Sequence, residues 1–157
     1  MPEHTALIRW TRDAAEPFHD NKYSRRHSWT FDGGIVVPAS SSPAVVRVPM
    51  SATDAVDPEE AFVASLSSCH MLWFLNLAAL AGFVVNSYED DARGTMGKHA
   101  SGKLAMLEVA LHPVVTFAAT ACPSSDVFDT LHHQAHAECY LAASVLTDVR
   151  CTPSLRT

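Results

Sequence analysis

The segment Asp57-Pro58-Glu59-Glu60, running on to Leu80-Ala81-Gly82, is the feature that most constrains the fold. Asp57 is of N-cap type, Pro58 suits the first helical position, and Glu60 stands three residues after the cap, as in a capping box. The two glutamates also suit the positive end of a helix dipole. The pattern predicts a helix from here to Leu80 or Ala81, stopped at Gly82. From Met71 onward that helix is apolar nearly all round, which predicts a central, buried element that the rest of the chain must cover.

The remaining pattern supplies the cover. Ala6 to Arg12 alternates like a strand, and Glu16 to Lys22 reads as a loop. Ser28 to Val37 predicts two strand pieces around the turn Asp32-Gly33-Gly34. A Ser-rich loop follows at Ala39 to Pro43, and Val45, Val46 and Val48 suggest more strand before Pro49. Val84 to Tyr88 is β-prone and is expected to continue to Thr95, with a turn at Met96 to Gly102. Leu104 to Phe117 suggests a long strand ending near Pro113 or near Phe117, Asp126 to Leu146 a second helix, and Val149 to Thr152 a short closing strand. This order predicts an α+β fold with helices packed on antiparallel sheet, not a βαβ repeat.

The chain has 157 residues, enough for one domain with a real core. Its 48% apolar and 18% charged content is that of a globular protein. A net charge of -6 argues against nucleic acid or an anionic membrane as the main partner. The N-terminus lacks the apolar core of a signal peptide, and the run Met71 to Leu80, broken by Asn76, falls short of a bilayer span. The expectation is therefore a soluble, cytoplasmic protein. In that compartment its four cysteines rest as thiols, and a disulfide would be catalytic rather than structural.

Two of those cysteines have polar company on apolar helices. Cys69 follows Ser67 and Ser68 and precedes His70; Cys139 lies one turn after His136. If the helices pack together, the sulfurs meet in a low-polarity pocket. His132, His136 and Cys139 share one predicted helix face. That face reads equally well as core with satisfied histidines, and less well as a zinc site of His132, His136 and a cysteine, since no further ligand sits at a persuasive spacing. A reactive thiolate needs a cation, and Arg25 and Arg26 are the candidates outside the helices. Ten residues of straight helix separate Glu59 from Cys69 by about 15 Å. Glu59 therefore reaches that sulfur only through a bend near Ser65 to Ser68 or from a second subunit. Cys122 and Cys151 are expected to be inessential.

These residues resemble the OsmC/Ohr family of thiol peroxidases, in an OsmC-like subgroup. The resemblance rests on Asp57-Pro58-Glu59-Glu60 through Cys69, on Ala135-His136-Ala137-Glu138-Cys139, and more weakly on the Asp32-Gly33-Gly34 turn after an arginine-bearing segment. It covers roughly Ala6 to Val149, and the whole chain reads as a single OsmC-like domain.

The resemblance implies an intertwined homodimer of antiparallel sheets around long central helices, with sites at the subunit interface. It implies that Cys69 attacks an organic hydroperoxide and becomes a sulfenic acid, and that Cys139 condenses with it to a disulfide. A dithiol or lipoyl-type reductant then restores both thiols. Glu59 and Arg25, with Arg26 next, match the family's glutamate and arginine, the first holding the second in place. His70 and His136 are expected around the substrate pocket. No cofactor and no metal is implied, and neither nucleic acid nor membrane is an expected partner. The alternative is an OsmC-like stress-associated binding protein without efficient turnover.

Overall fold

Residues 2–156 are described by a computed structural model. The elements run β1 (Ala6–Arg9), β2 (His27–Phe31), β3 (Val36–Ala39), α1 (Pro58–Leu80), β4 (Val85–Asp90), β5 (Arg93–Lys98), β6 (Leu104–Leu111), β7 (Pro113–Phe117), α2 (Ser125–Glu138), β8 (Asp148–Cys151) and β9 (Ser154–Arg156). A 3₁₀ turn at Ala142–Ser144 follows α2. The fold is mixed α+β. It divides into two compact units, Met1–Ala61 and Phe62–Thr157.

In the first unit, β1, β2 and β3 form an antiparallel meander. The turn after Phe31 closes through Gly34 N–H to Phe31 C=O (2.9 Å) and Phe31 N–H to Ile35 C=O (3.0 Å). Gly34 takes a φ of 80°, which a side chain would strain. Residues 43–50 form turns, not the strand that Val45, Val46 and Val48 suggested. Those three valines carry apolar side chains, but Pro43 and Pro49 flank them and remove ladder donors. The start of α1 is a capping box: Glu60 N–H donates to Asp57 Oδ1 (2.8 Å) and Asp57 N–H to Glu60 Oε2 (3.1 Å).

In the second unit, one sheet has the order β4-β7-β9 and another β5-β6-β8. The antiparallel expectation holds for β4–β7 and β5–β6, whereas β8 and β9 add in parallel. Of the two ends expected for the strand from Leu104, the one near Pro113 holds: β6 stops at Leu111, and after His112 a separate strand, β7, joins the other sheet. The strand expected to run through Thr95 breaks after Asp90; β5 covers Arg93–Thr95, read as strand, and continues over Met96–Lys98, read as a turn. Asp90 holds the corner, accepting from His112 N–H at 2.6 Å.

The core of this unit has two parts. Phe74 and Ala78 of α1 meet Val115 and Phe117 of β7 and Phe128, Leu131 and Ala135 of α2. Leu66 packs with Val109 and Leu111 of β6. Helix α2 buries Phe128, Leu131, His132 and Ala135, the i, i+3, i+4, i+7 stripe of an amphipathic helix. It ends at Glu138, well before the expected Leu146, and Cys139 is its C-cap in extended conformation. Helix α1 buries one stripe only, Leu66, His70, Phe74 and Ala78, while Leu72 and Leu80 stay exposed. The sequence predicted burial all round. By length and composition α1 also suffices to cross a bilayer, although that buried stripe packs on sheet and helix.

Candidate functional site

The first unit holds a cavity of about 490 Å³ lined by Trp10, Phe18, Tyr23, Arg25, Ser42 and Glu59, among others. Its wall is aromatic: Phe18 stacks on Tyr23 at 4.6 Å between ring centres, and Trp10 meets Tyr23 edge-on at 5.4 Å. Arg25 is half-buried and fixed locally. Its guanidinium donates to Asn21 C=O (2.9 Å), Tyr23 C=O (2.5 Å) and Asn21 Oδ1 (2.7 Å), and lies 3.9 Å over the Tyr23 ring. Arg25 and Glu59 thus share a cavity, but among the described residues no ion pair joins them. Arg26 points elsewhere and pairs with Asp54, whose carboxyl it holds below the usual range. Of the two arginines, only Arg25 faces a cavity with Glu59.

The second unit brings Cys69 and Cys139 together. Cys69 is half-buried and Cys139 almost fully buried. Burial pushes the Cys139 thiol up from its ordinary pKa, and the Cys69 sulfur, close enough to hydrogen-bond and to repel charge, adds to the effect. Ala142 N–H, donating to Cys139 Sγ at 3.4 Å, works against it. Cys139 is therefore a protonated thiol beside Cys69. Cys69 also opens on an apolar cavity of about 400 Å³ lined by Leu72, Trp73, Asn76 and Tyr140. Trp73 and Tyr140 meet edge-on at 5.4 Å and close one side. The helix is unbroken through Ser67 and Ser68, and Ser67 Oγ donates to Asp90 Oδ2 at 2.5 Å.

The histidines depart from expectation. Successive helical residues point about 100° apart, so His70 faces away from the side that Cys69 presents. His70 is fully buried, with Nε2 3.0 Å from His132 Nδ1. Cys151 Sγ lies 3.6 Å from the former nitrogen and 3.8 Å from the latter. His136, expected beside Cys139, is exposed and lines a different cavity with Asp129, His132 and Cys151. Cys151 was expected to lie idle near the C-terminus; it sits in β8 opposite Leu111 and joins the histidine pair. Burial drives the pKa of His70 down to about 4, with His136 adding, and that of His132 down to about 3, with His70 adding. Burial likewise pushes Cys151 up to about 12, with Asp90 adding. Cys122 is exposed in a loop, as its setting beside Pro123 suggested.

The family model for OsmC-like proteins matches residues 51–154. A solved OsmC-like protein of unknown function from Vibrio cholerae is 49% identical, with a TM-score of 0.96 and coverage of 98% of this chain and 99% of that one. Organic hydroperoxide resistance proteins are more distant. That of Elizabethkingia anophelis is 16% identical at a TM-score of 0.68, covering 100% of this chain and 97% of its own. That of Bacillus subtilis is 15% identical at 0.60, covering 98% of each. No curated protein matches the chain significantly.

Proposed function

The chain belongs to the OsmC-like protein family, and from that premise we propose that it is a cysteine-based peroxidase for organic hydroperoxides. One observation carries the proposal: Cys69 opens on an apolar cavity and has the Cys139 thiol at its side. An apolar wall rewards an alkyl tail by about 0.8 kcal/mol per buried CH₂, which favours an organic peroxide over hydrogen peroxide.

In the proposed cycle the Cys69 thiolate attacks the terminal peroxide oxygen. The O–O bond breaks, the alkoxide leaves and takes a proton as the alcohol, and sulfur is oxidised to a sulfenic acid. The Cys139 sulfur then attacks Cys69 sulfur, the S–S bond forms and water leaves with the thiol proton. A dithiol or lipoyl-type reductant exchanges through a mixed disulfide and returns both thiols. Arg25 is proposed to steady the negative charge on the leaving oxygen, and Glu59 to orient the arginine. The exposed Leu72, Leu80, Tyr140 and Leu146 support a homodimer that covers apolar surface left bare on one chain. The thiol chemistry suits a reducing, cytoplasmic setting.

A second role, binding without efficient turnover, is favoured by Arg25 itself, whose donors are engaged by Asn21 and Tyr23. Steady-state assays with cumene hydroperoxide and either dihydrolipoamide or dithiothreitol separate the two. Sustained consumption that Cys69→Ser abolishes supports the peroxidase. Retained ligand binding with no consumption under either donor supports the binding role instead.

A further inference from the structure

Three donor atoms converge in the core from elements far apart in sequence: His70 Nε2 from α1, His132 Nδ1 from α2 and Cys151 Sγ from β8. We propose that they form a binding site for a divalent metal ion of the zinc class, separate from the Cys69–Cys139 pair.

The spacing carries the proposal. A tetrahedral zinc ion with Zn–N of ~2.0–2.1 Å and Zn–S of ~2.3 Å sets its ligands about 3.3 Å apart for N···N and about 3.6 Å for N···S. The observed separations are 3.0 Å between the nitrogens and 3.6 and 3.8 Å from sulfur to each. An ion at its own bonding length from each nitrogen and from the sulfur therefore needs ligand separations close to those observed. The donor set, two imidazoles and a thiolate, is borderline-soft, which suits zinc and disfavours magnesium or calcium.

Packing alone accounts for part of the cluster. His132 lies face-on to Phe74 at 4.1 Å between ring centres, so its ring is a core filler as well. Packing does not account for three ligand-type atoms from three separate elements gathered within 4.8 Å of one another. The outer ring nitrogens, His70 Nδ1 and His132 Nε2, have no hydrogen-bond partner among the described residues, so neither is tied to another acceptor or donor and each is free to carry its ring's N–H. A cavity of about 320 Å³, lined by His132, His136, Asp129 and Cys151, reaches the cluster and gives both an access path and room for a fourth ligand from solvent.

Proton balance follows from the geometry. Without metal, one imidazole N–H lies along the 3.0 Å contact between the rings. On binding, that proton moves to the outer nitrogen of its own ring, so each imidazole stays neutral with a single N–H. The Cys151 S–H gives its proton to solvent, and one proton is released per ion.

The test uses full-length protein without a histidine tag, stripped by a chelator, kept reduced and titrated with Co²⁺. The expected result is a thiolate-to-cobalt charge-transfer band with tetrahedral visible bands, saturating at one ion and one released proton per chain and reversed by Zn²⁺. The charge-transfer band is lost in Cys151→Ser and kept in Cys69→Ser and in Cys139→Ser. Should Cys151→Ser fail to fold, the triple variant Cys69→Ser/Cys122→Ser/Cys139→Ser leaves Cys151 as its only thiol and must still show the band. No thiolate band in the parent protein, or a band that depends on Cys69 or Cys139, overturns the proposal.

Discussion

Cys69 and His70 are neighbours in the sequence, yet they stand in two different settings on two sides of α1. Cys69 faces an apolar cavity and a second thiol, half-open to solvent. His70 faces the core, where it and His132 are almost fully buried and meet the half-buried Cys151. Each side pairs the helix with a sulfur from the C-terminal part of the chain: Cys139 at the end of α2 on one, Cys151 in β8 on the other. The difference is company, since Cys69 and Cys151 are both half-buried. A sulfur with a thiol neighbour and an apolar cavity suits turnover, whereas one beside two neutral imidazoles suits ligation.

The comparison breaks first at the sulfurs. Cys69→Ser is expected to remove peroxide turnover altogether, whereas Cys122→Ser, which changes an exposed loop thiol, leaves it intact. Cys139→Ser is expected to stop disulfide formation and let a Cys69 sulfenic acid accumulate, read as a dimedone adduct by mass spectrometry. Turnover surviving in Cys69→Ser would dissolve the distinction between the two sides.

The next contrast is mechanical. Phe74→Ala empties the centre of the larger core cluster, and denaturant titration is expected to show a loss of ~3–5 kcal/mol. Ser68→Ala, six residues away but exposed on the same helix, is expected to stay within ~0.5 kcal/mol. Equal losses would mean that the chain buries both sides of α1 alike.

Acid should find the core side first. His70 and His132 have folded pKa values depressed to about 4 and about 3 from 6.5. In the unfolded chain both take up protons as pH falls below 6.5, while the folded protein resists. Their contribution to stability is present in full above that value and is lost as pH falls from 6.5 toward 4 and 3. Melting temperatures across this range are expected to decline in the parent protein and less steeply in His132→Phe. Parallel declines would mean that other groups control the acid response.

The smallest effect lies away from both sides. Asp57→Ala removes one half of the capping box and is expected to cost ~1 kcal/mol in chemical denaturation.

Local signals in the sequence were read well and long-range ones poorly. The start of α1 was legible because Asp57, Pro58 and Glu60 each act within one turn, and its end because Gly82 adopts a φ of 83°. The second half of β5, Met96–Lys98, was read as a turn because Gly97 looks like a turn residue, although the strand expected through Thr95 included Gly94. Both glycines are there for space: a Cβ on Gly94 would come within 2.6 Å of Met106 Sδ and Val63 Cγ2, and one on Gly97 within 2.5 Å of Leu107 Cδ1. The sequence left the end of β6 open between Pro113 and Phe117 because β6 and β7 are both apolar, and only their different partners separate them. The Cys69 and Cys139 neighbourhood was legible as two helical cysteine motifs. The partnership of His70 with Cys151 was not, since 81 residues separate them and a parallel β6–β8 pairing brings them together. His136 was misplaced by assuming that i, i+4 and i+7 from His132 all face one way; the buried stripe runs through Ala135 instead.

The central claim is that Cys69 and Cys139 form one redox pair. Protein exposed to one equivalent of cumene hydroperoxide, alkylated, digested without reduction and mapped by mass spectrometry tests it most directly. The account predicts a peptide joining Cys69 to Cys139, two thiols lost per chain, and Cys122 and Cys151 still alkylated as free thiols once the protein is unfolded. Four free thiols after excess peroxide, or a disulfide that joins Cys69 to any other cysteine, would contradict it.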